Sequence, residues 1–112
     1  MSRVVVTGAS GLLGGNLAAA LIGDGHRVVA TRRGSTRVEH LADLPIEWAT
    51  ADLGDVDALT TAFAGADAVF HCAAEVSIER EVSPSMHAAN VVGTGNVIAA
   101  GLAARKIGRA HV

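Results

Sequence analysis

The chain has 112 residues, half of them hydrophobic and 18% charged, with a formal net charge of -2. This is enough for one modest domain with a thin core, and it carries no basic excess to attract nucleic acid or an anionic membrane. The single cysteine, Cys72, excludes an internal disulfide, and with no tyrosine in the chain no phenol chemistry is available within it.

The elements follow in chain order. Val4 to Val6 is a β-branched run that reads as a strand buried on both faces. From Leu12 to Ile22 the pattern turns helical, with Leu13, Leu17, Ala20 and Leu21 on one face, and Gly23-Asp24-Gly25 stops it. Arg27 to Thr31 is a second strand. Arg32 to Asp43 is polar, with one helical turn near Val38 to Leu41, and Pro45 precedes a third strand from Ile46 to Thr50. Asp55-Val56-Asp57 opens a helix whose acidic first turn suits the positive end of the helix dipole, and this helix ends at Gly65. Ala68 to His71 is a fourth strand. Ser83-Pro84 is a helix start, and this helix should run to about Arg105.

Strand and helix alternate four times, which calls for a parallel sheet with right-handed helical crossovers. The expected class is therefore α/β, a Rossmann-type doubly wound sheet of strand order 3-2-1-4, with a fifth strand missing or distorted. Neither an internal repeat nor a second-domain linker is evident. No apolar stretch reaches the roughly 18 residues of a membrane span. No signal-peptide pattern opens the chain. Together with the lone cysteine this leads us to expect a cytoplasmic protein without membrane or nucleic-acid partners.

The candidate site begins at Thr7-Gly8-Ala9-Ser10-Gly11-Leu12-Leu13-Gly14, between the first strand and the first helix. Gly8 allows a tight turn, Gly11 clears the approach of a pyrophosphate, and Gly14 lets helix and strand pack closely. The N–H groups at the helix start then face the phosphates. Gly8, Ser10, Gly11, Leu12, Leu13 and Gly14 are the candidate contacts. Glycines also mark ordinary turns, but here a strand precedes and a helix follows, as the motif requires.

These residues resemble the extended short-chain dehydrogenase/reductase family, which includes the NAD(P)-dependent epimerases, dehydratases and dihydroflavonol-reductase-like enzymes. Three further segments agree. Ala51-Asp52-Leu53 resembles the Asp-Leu pair that contacts adenine. Val69 to Ala74 resembles the segment after the fourth strand whose backbone lines the cofactor, here Cys72, Ala73 and Ala74. Asn90 to Val97 resembles the signature on the next long helix. Asp52 could instead simply end a strand, Ala73 and Ala74 could be packing residues, and Asn90 reads as structural more than catalytic. His71 beside Cys72 lacks further ligands at metal spacing. Cys72 reads as a small buried residue rather than a nucleophile. His26, His40, His87 and His111 read as surface or turn residues.

An NAD-preferring site usually has an acid at the end of the second strand. Here Thr31-Arg32-Arg33-Gly34-Ser35 stands in that place. Two guanidinium groups would attract a 2′-phosphate, and Arg can bind it bidentately. The expected cofactor is NADP, with NAD second. Arg33 is the first candidate and Arg32 the second, with Arg37 and Ser35 as helpers.

The resemblance implies catalysis by Ser/Thr and Tyr-x-x-x-Lys beyond the fifth strand, and no catalytic residue can be carried onto this chain. The expectation is an N-terminal portion, residues 1–105, of an oxidoreductase or epimerase/dehydratase for a carbonyl or sugar-nucleotide substrate. The substrate region is absent, and the whole protein could be a homodimer. A non-catalytic dinucleotide sensor or scaffold, or a truncated product without function, are the alternatives. Lys106 to Val112 makes a poor buried strand. It also matches the translation of a common sequencing adapter, so residues 106–112 are expected to be non-native.

Overall fold

The computed structural model describes residues 2–34, 38–72 and 84–107, the last segment with side chains from 91 to 105. Four strands, β1 (Arg3–Thr7), β2 (Arg27–Arg32), β3 (Ile46–Thr50) and β4 (Ala68–His71), form one sheet of order β3-β2-β1-β4. Every pairing is parallel, and the carboxyl ends align: Thr7 is opposite both Thr31 and His71, and Arg32 is opposite Thr50. The crossovers are α1 (Leu12–Gly23), a 3-10 turn at Glu39–Leu41, and α2 (Val56–Phe63), and α3 (Pro84–Ile107) follows β4.

Alternation along β1 divides the core into two layers. Val5 points to the α2 and α3 side, where it meets Val29, Leu59, Phe63, Val69, Val97, Ala100 and Ala104. Val4 and Val6 point to the α1 side with Val28, Ala30 and Ala18, and Trp48 and Leu21 pack around them. The first strand is thus buried on both faces, as its unbroken β-branched run implied.

One expectation needs correction. The buried residues of α1 are Gly14 and Ala18, whereas Leu13 is 71% exposed and Ala20 is also exposed. Gly14 is pressed against the backbone of the glycine turn, which fixes the rotation of the helix and turns Leu13 to solvent. The last helix runs two residues past the expected end at about Arg105, to Ile107, as the helix formers Ala103, Ala104, Arg105 and Lys106 favour. Residues 108–112 of the tail expected to be non-native lie outside the described residues.

Local chemistry sets the other boundaries. Asp55 caps α2, its Oδ1 accepting from the Ala58 N–H at 3.0 Å. Replacing Asp55 by Ala should cost about 1 kcal/mol of stability, measurable by urea unfolding. Gly65 closes that helix at a positive φ of 77°. Arg3 ties the amino edge of the sheet together. Its N–H donates to Asp67 Oδ2 at 3.0 Å, and its guanidinium donates to the Ala64 carbonyl at 2.9 Å. Phe70 on β4 and Val91, Val92, Ile98 and Leu102 on α3 are large apolar side chains left exposed. Among the described residues no helix is long and apolar enough to cross a membrane.

Candidate dinucleotide site

The site lies at the carboxyl edge of the sheet, where β1 ends and the strand order reverses. After Thr7 the chain turns at Gly8, whose φ of 75° suits glycine. The Gly11 N–H donates to the Gly8 carbonyl at 3.1 Å and closes the turn. The α1 helix starts at once, with Gly11 in extended conformation as its N-cap and no side chain capping it. The N–H groups of Leu12, Leu13 and Gly14 belong to the first turn and have no acceptor within the helix. Leu12 is 86% exposed, so its end of the helix is open.

The glycines differ in what holds them. A Cβ on Gly14 would overlap the Gly8 carbonyl oxygen and lie 2.7 Å from its carbon. A Cβ on Gly11 would make only an ordinary 3.5 Å contact with that oxygen. Packing therefore explains Gly14 but not Gly11, whose bare face is turned to open space. The turn is a cradle of backbone donors at the positive end of a helix, open where a Cβ would stand, and it fits a pyrophosphate.

The segment between β2 and β3 is anchored on this turn. His40 places Nε2 3.2 Å from the Ser10 carbonyl. Leu41 is buried, with its Cδ2 3.7 Å from where a Gly15 Cβ would stand. At the end of β2, Arg32 is half-buried and Arg33 exposed, with Arg32 Nε 3.5 Å from the Arg33 carbonyl. No carboxylate occupies the three positions Arg32-Arg33-Gly34. Ser35 and Arg37 lie outside the described residues.

After β3, Asp52 is exposed and its Oδ1 accepts from the Gly54 N–H at 2.8 Å. This shapes the loop and leaves Oδ2 without a hydrogen bond among the described residues. Leu53 is half-buried, 3.3 Å from where a Gly93 Cβ would stand, so it packs on α3. Its carbonyl accepts from Asn96 Nδ2 at 2.8 Å. Asn96 lies in the Asn90 to Val97 signature but is not a candidate contact from sequence, since its partner lies 43 positions away.

After β4, the Cys72 N–H donates to the carbonyl of Thr7 at 3.1 Å and lies 3.2 Å from its Oγ1. The Cys72 thiol packs against the α1-side core, and burial pushes its pKa up, which suits a packing residue better than a nucleophile. Ala73, Ala74 and the side chain of Asn90 lie outside the described residues. His71 Nδ1 lies 2.6 Å from Thr7 Oγ1, and Nε2 lies 3.3 Å from Thr94 Oγ1. The structure therefore brings the glycine turn, the arginine pair, Asp52 and Cys72 to one edge.

Burial pulls the His71 imidazole below the usual histidine value of 6.5. The folded chain thus favours neutral His71. The associated stability is complete above pH 6.5 and drains away as pH falls through the lowered folded-state value. The thermal midpoint should fall more steeply from pH 7 to pH 5 in the native sequence than in His71→Asn. Parallel curves for the two would refute this.

Comparison with known proteins gives the family. The model of the NAD dependent epimerase/dehydratase family matches residues 4–111. A Synechocystis sp. protein with a provisional dihydroflavonol 4-reductase name is 38% identical over 94 residues, covering 84% of this chain and 27% of that protein. The 2-alkyl-3-oxoalkanoate reductase of Stenotrophomonas maltophilia is 40% identical over 98 residues, covering 88% and 29%. The crystal structure of the Bordetella bronchiseptica enzyme WbmH in complex with NAD+ superposes with a TM-score of 0.77 at 28% identity, covering 98% of this chain and 38% of that one. The chain thus spans under a third of the length of those two reductase-named relatives. With four segments in family order on a parallel 3-2-1-4 sheet, the chain belongs to the NAD dependent epimerase/dehydratase family of short-chain dehydrogenases/reductases.

Proposed function

We propose that these residues form the dinucleotide-binding part of a reductase or epimerase/dehydratase, with NADP(H) preferred over NAD(H). The observation that carries the preference is the pair Arg32-Arg33, with no acid, at the carboxyl end of β2. A carboxylate there would repel a 2′-phosphate, and guanidinium groups attract it. The reductase names of two relatives support a carbonyl substrate, and the likeness to a nucleoside-diphosphate-sugar epimerase of Pseudomonas aeruginosa, 32% identical, keeps a sugar nucleotide as the other class.

When bound, the nicotinamide would supply the hydride chemistry. The chain's own part is binding and orientation. The first-turn N–H groups of α1 would hold the pyrophosphate, with Gly8, Ser10 and Gly11 shaping its approach. Arg33, assisted by Arg32, would hold the 2′-phosphate. Asp52, beside Leu53, would meet the adenine amino group. By the family resemblance, Cys72, Ala73 and Ala74 would line the nicotinamide side and Asn90 would be structural.

Calorimetric titration with NADPH and NADH tests the reading, with tighter binding of NADPH expected. Equal affinities would remove the preference, and binding of neither would remove the site. The 112 residues alone should show no NADPH turnover with aldehydes or ketones, because no tyrosine is present to donate the proton. Its absence forgoes roughly 10²–10⁴-fold of acid catalysis. Turnover by a verified monomer of this chain would refute that expectation.

A further inference from the structure

His71 sits where three pieces of the nucleotide cradle meet. Thr7 and His71 are opposite one another across the parallel pair β1 and β4, so their side chains stand on the same face. Thr7 is fully buried, and Gly8, where the cradle turns, follows it directly. Thr94 is one residue beyond Gly93, where α3 packs against Leu53. The imidazole bridges Thr7 Oγ1 at 2.6 Å and Thr94 Oγ1 at 3.3 Å. The Cys72 N–H meets the same Thr7 hydroxyl.

We infer that His71 is a positioning residue for the dinucleotide, fixing the glycine turn to the segment after β4 and to α3. The inference rests on the dinucleotide reading above and adds a residue to it. It follows from connectivity. Backbone pairing between β1 and β4 ends at the pair Thr7 and His71. Beyond that point β1 passes directly into the glycine turn at Gly8. One backbone bond, from the Cys72 N–H to the Thr7 carbonyl at 3.1 Å, reaches past the last ladder pair; the side-chain bridge reinforces it at the Thr7 hydroxyl, and its Nε2 arm alone extends the tie to α3. A loss of this bridge lets the turn shift while the sheet below stays formed. A small shift suffices, since the backbone donors must meet phosphate oxygens within hydrogen-bond distance.

The test uses the whole chain and four proteins: native, His71→Leu, His71→Asn and Val69→Ala. His71→Leu removes both arms. His71→Asn keeps a polar atom near the Nδ1 position and so can keep the Thr7 arm. Val69→Ala loosens β4 from its buried core position without touching the bridge. NADPH affinity should fall about tenfold in His71→Leu, the scale of one or two lost hydrogen bonds. His71→Asn should recover most of that loss. Val69→Ala should lower the thermal midpoint yet keep the native affinity. Amide hydrogen exchange without ligand is the second measurement. His71→Leu should speed exchange at residues 8–14 and 91–97 while the centre of the sheet stays protected. Native affinity in His71→Leu, or equal losses in His71→Leu and Val69→Ala, would overturn the inference and leave the dinucleotide reading standing. If the native chain binds neither NADPH nor NADH, that reading falls. The exchange pattern then decides the bridge alone, and unchanged exchange at 8–14 in His71→Leu overturns it.

Discussion

Two alanine substitutions three residues apart should have different effects. Gly14→Ala should lower stability by about 3 kcal/mol, with a fall in thermal midpoint of roughly 10–20 °C. The added methyl overlaps the Gly8 carbonyl, and its neighbours there are all backbone, with no flexible side-chain end to move aside. Relief requires α1 to lift from β1, and Ala18, fully buried one turn on, lifts with it. Gly11→Ala should change stability by less than about 1 kcal/mol, since the freedom removed from the unfolded chain and the poorer N-cap of alanine oppose one another. Gly11 has a φ of -84° and space for a methyl at 3.5 Å, so alanine fits the folded chain and loses less freedom on folding. The same methyl stands in the approach to the helix start, and dinucleotide affinity should drop at least about tenfold, the equivalent of 1.4 kcal/mol. Thermal melts and titrations on the two variants check both halves. An unstable Gly11→Ala, or one that binds NADPH normally, would show that the open face of the turn is not a ligand face.

The second large effect is expected at the end of β2. Arg33→Asp should abolish or reverse the preference for NADPH. Losing one charge-assisted phosphate contact costs roughly 1.5–3 kcal/mol, about tenfold or more in affinity. The new carboxylate adds repulsion toward a 2′-phosphate and can accept from ribose hydroxyls instead. NADH affinity should therefore hold or improve as NADPH affinity falls. Arg33 is exposed, so the effect should shrink as salt rises. Arg32 is half-buried with its Nε directed to the Arg33 carbonyl, so Arg32→Asp should cost stability as well as affinity. Titrations of both dinucleotides at two salt concentrations, with melts for both variants, separate these contributions. An unchanged NADPH to NADH ratio in Arg33→Asp would place the 2′-phosphate elsewhere.

The strands and the glycine turn were legible in sequence because their signals are local. Val4 to Val6, Arg27 to Thr31 and Ile46 to Thr50 are short runs rich in strand formers with turn residues beside them, and Gly8, Gly11 and Gly14 are spaced along one turn. The rotation of α1 was not legible. From Leu12 to Gly23 the only strongly polar residue is Asn16, so apolar side chains occupy every side and periodicity has no contrast to read. A steric fact decides it instead, since only Gly14 can lie against Gly8. The histidines were also opaque. His40 meets Ser10 from 30 positions away, and His71 meets Thr7 from 64 and Thr94 from 23. No local pattern announces such pairs. Once the sheet order is granted, though, the register of β1 against β4 places Thr7 beside His71.

The empty cap of α1 has a thermodynamic meaning of its own. A helix start with Gly11 and no side-chain acceptor keeps its first N–H groups for a guest, and an anion bound there completes the helix as an absent Asp or Ser would. Ligand and fold are then linked by mass action: at one hundred times its dissociation constant, a ligand bound only by the folded chain adds about 2.7 kcal/mol of apparent stability. The chain's resistance to heat or proteases would then vary with the dinucleotide concentration around it. A Gly11→Asp variant would carry its own carboxylate cap, gaining a few tenths of a kcal/mol when empty while surrendering the ligand-dependent part. A helix end left unfinished in this way makes folded lifetime a readout of cofactor supply.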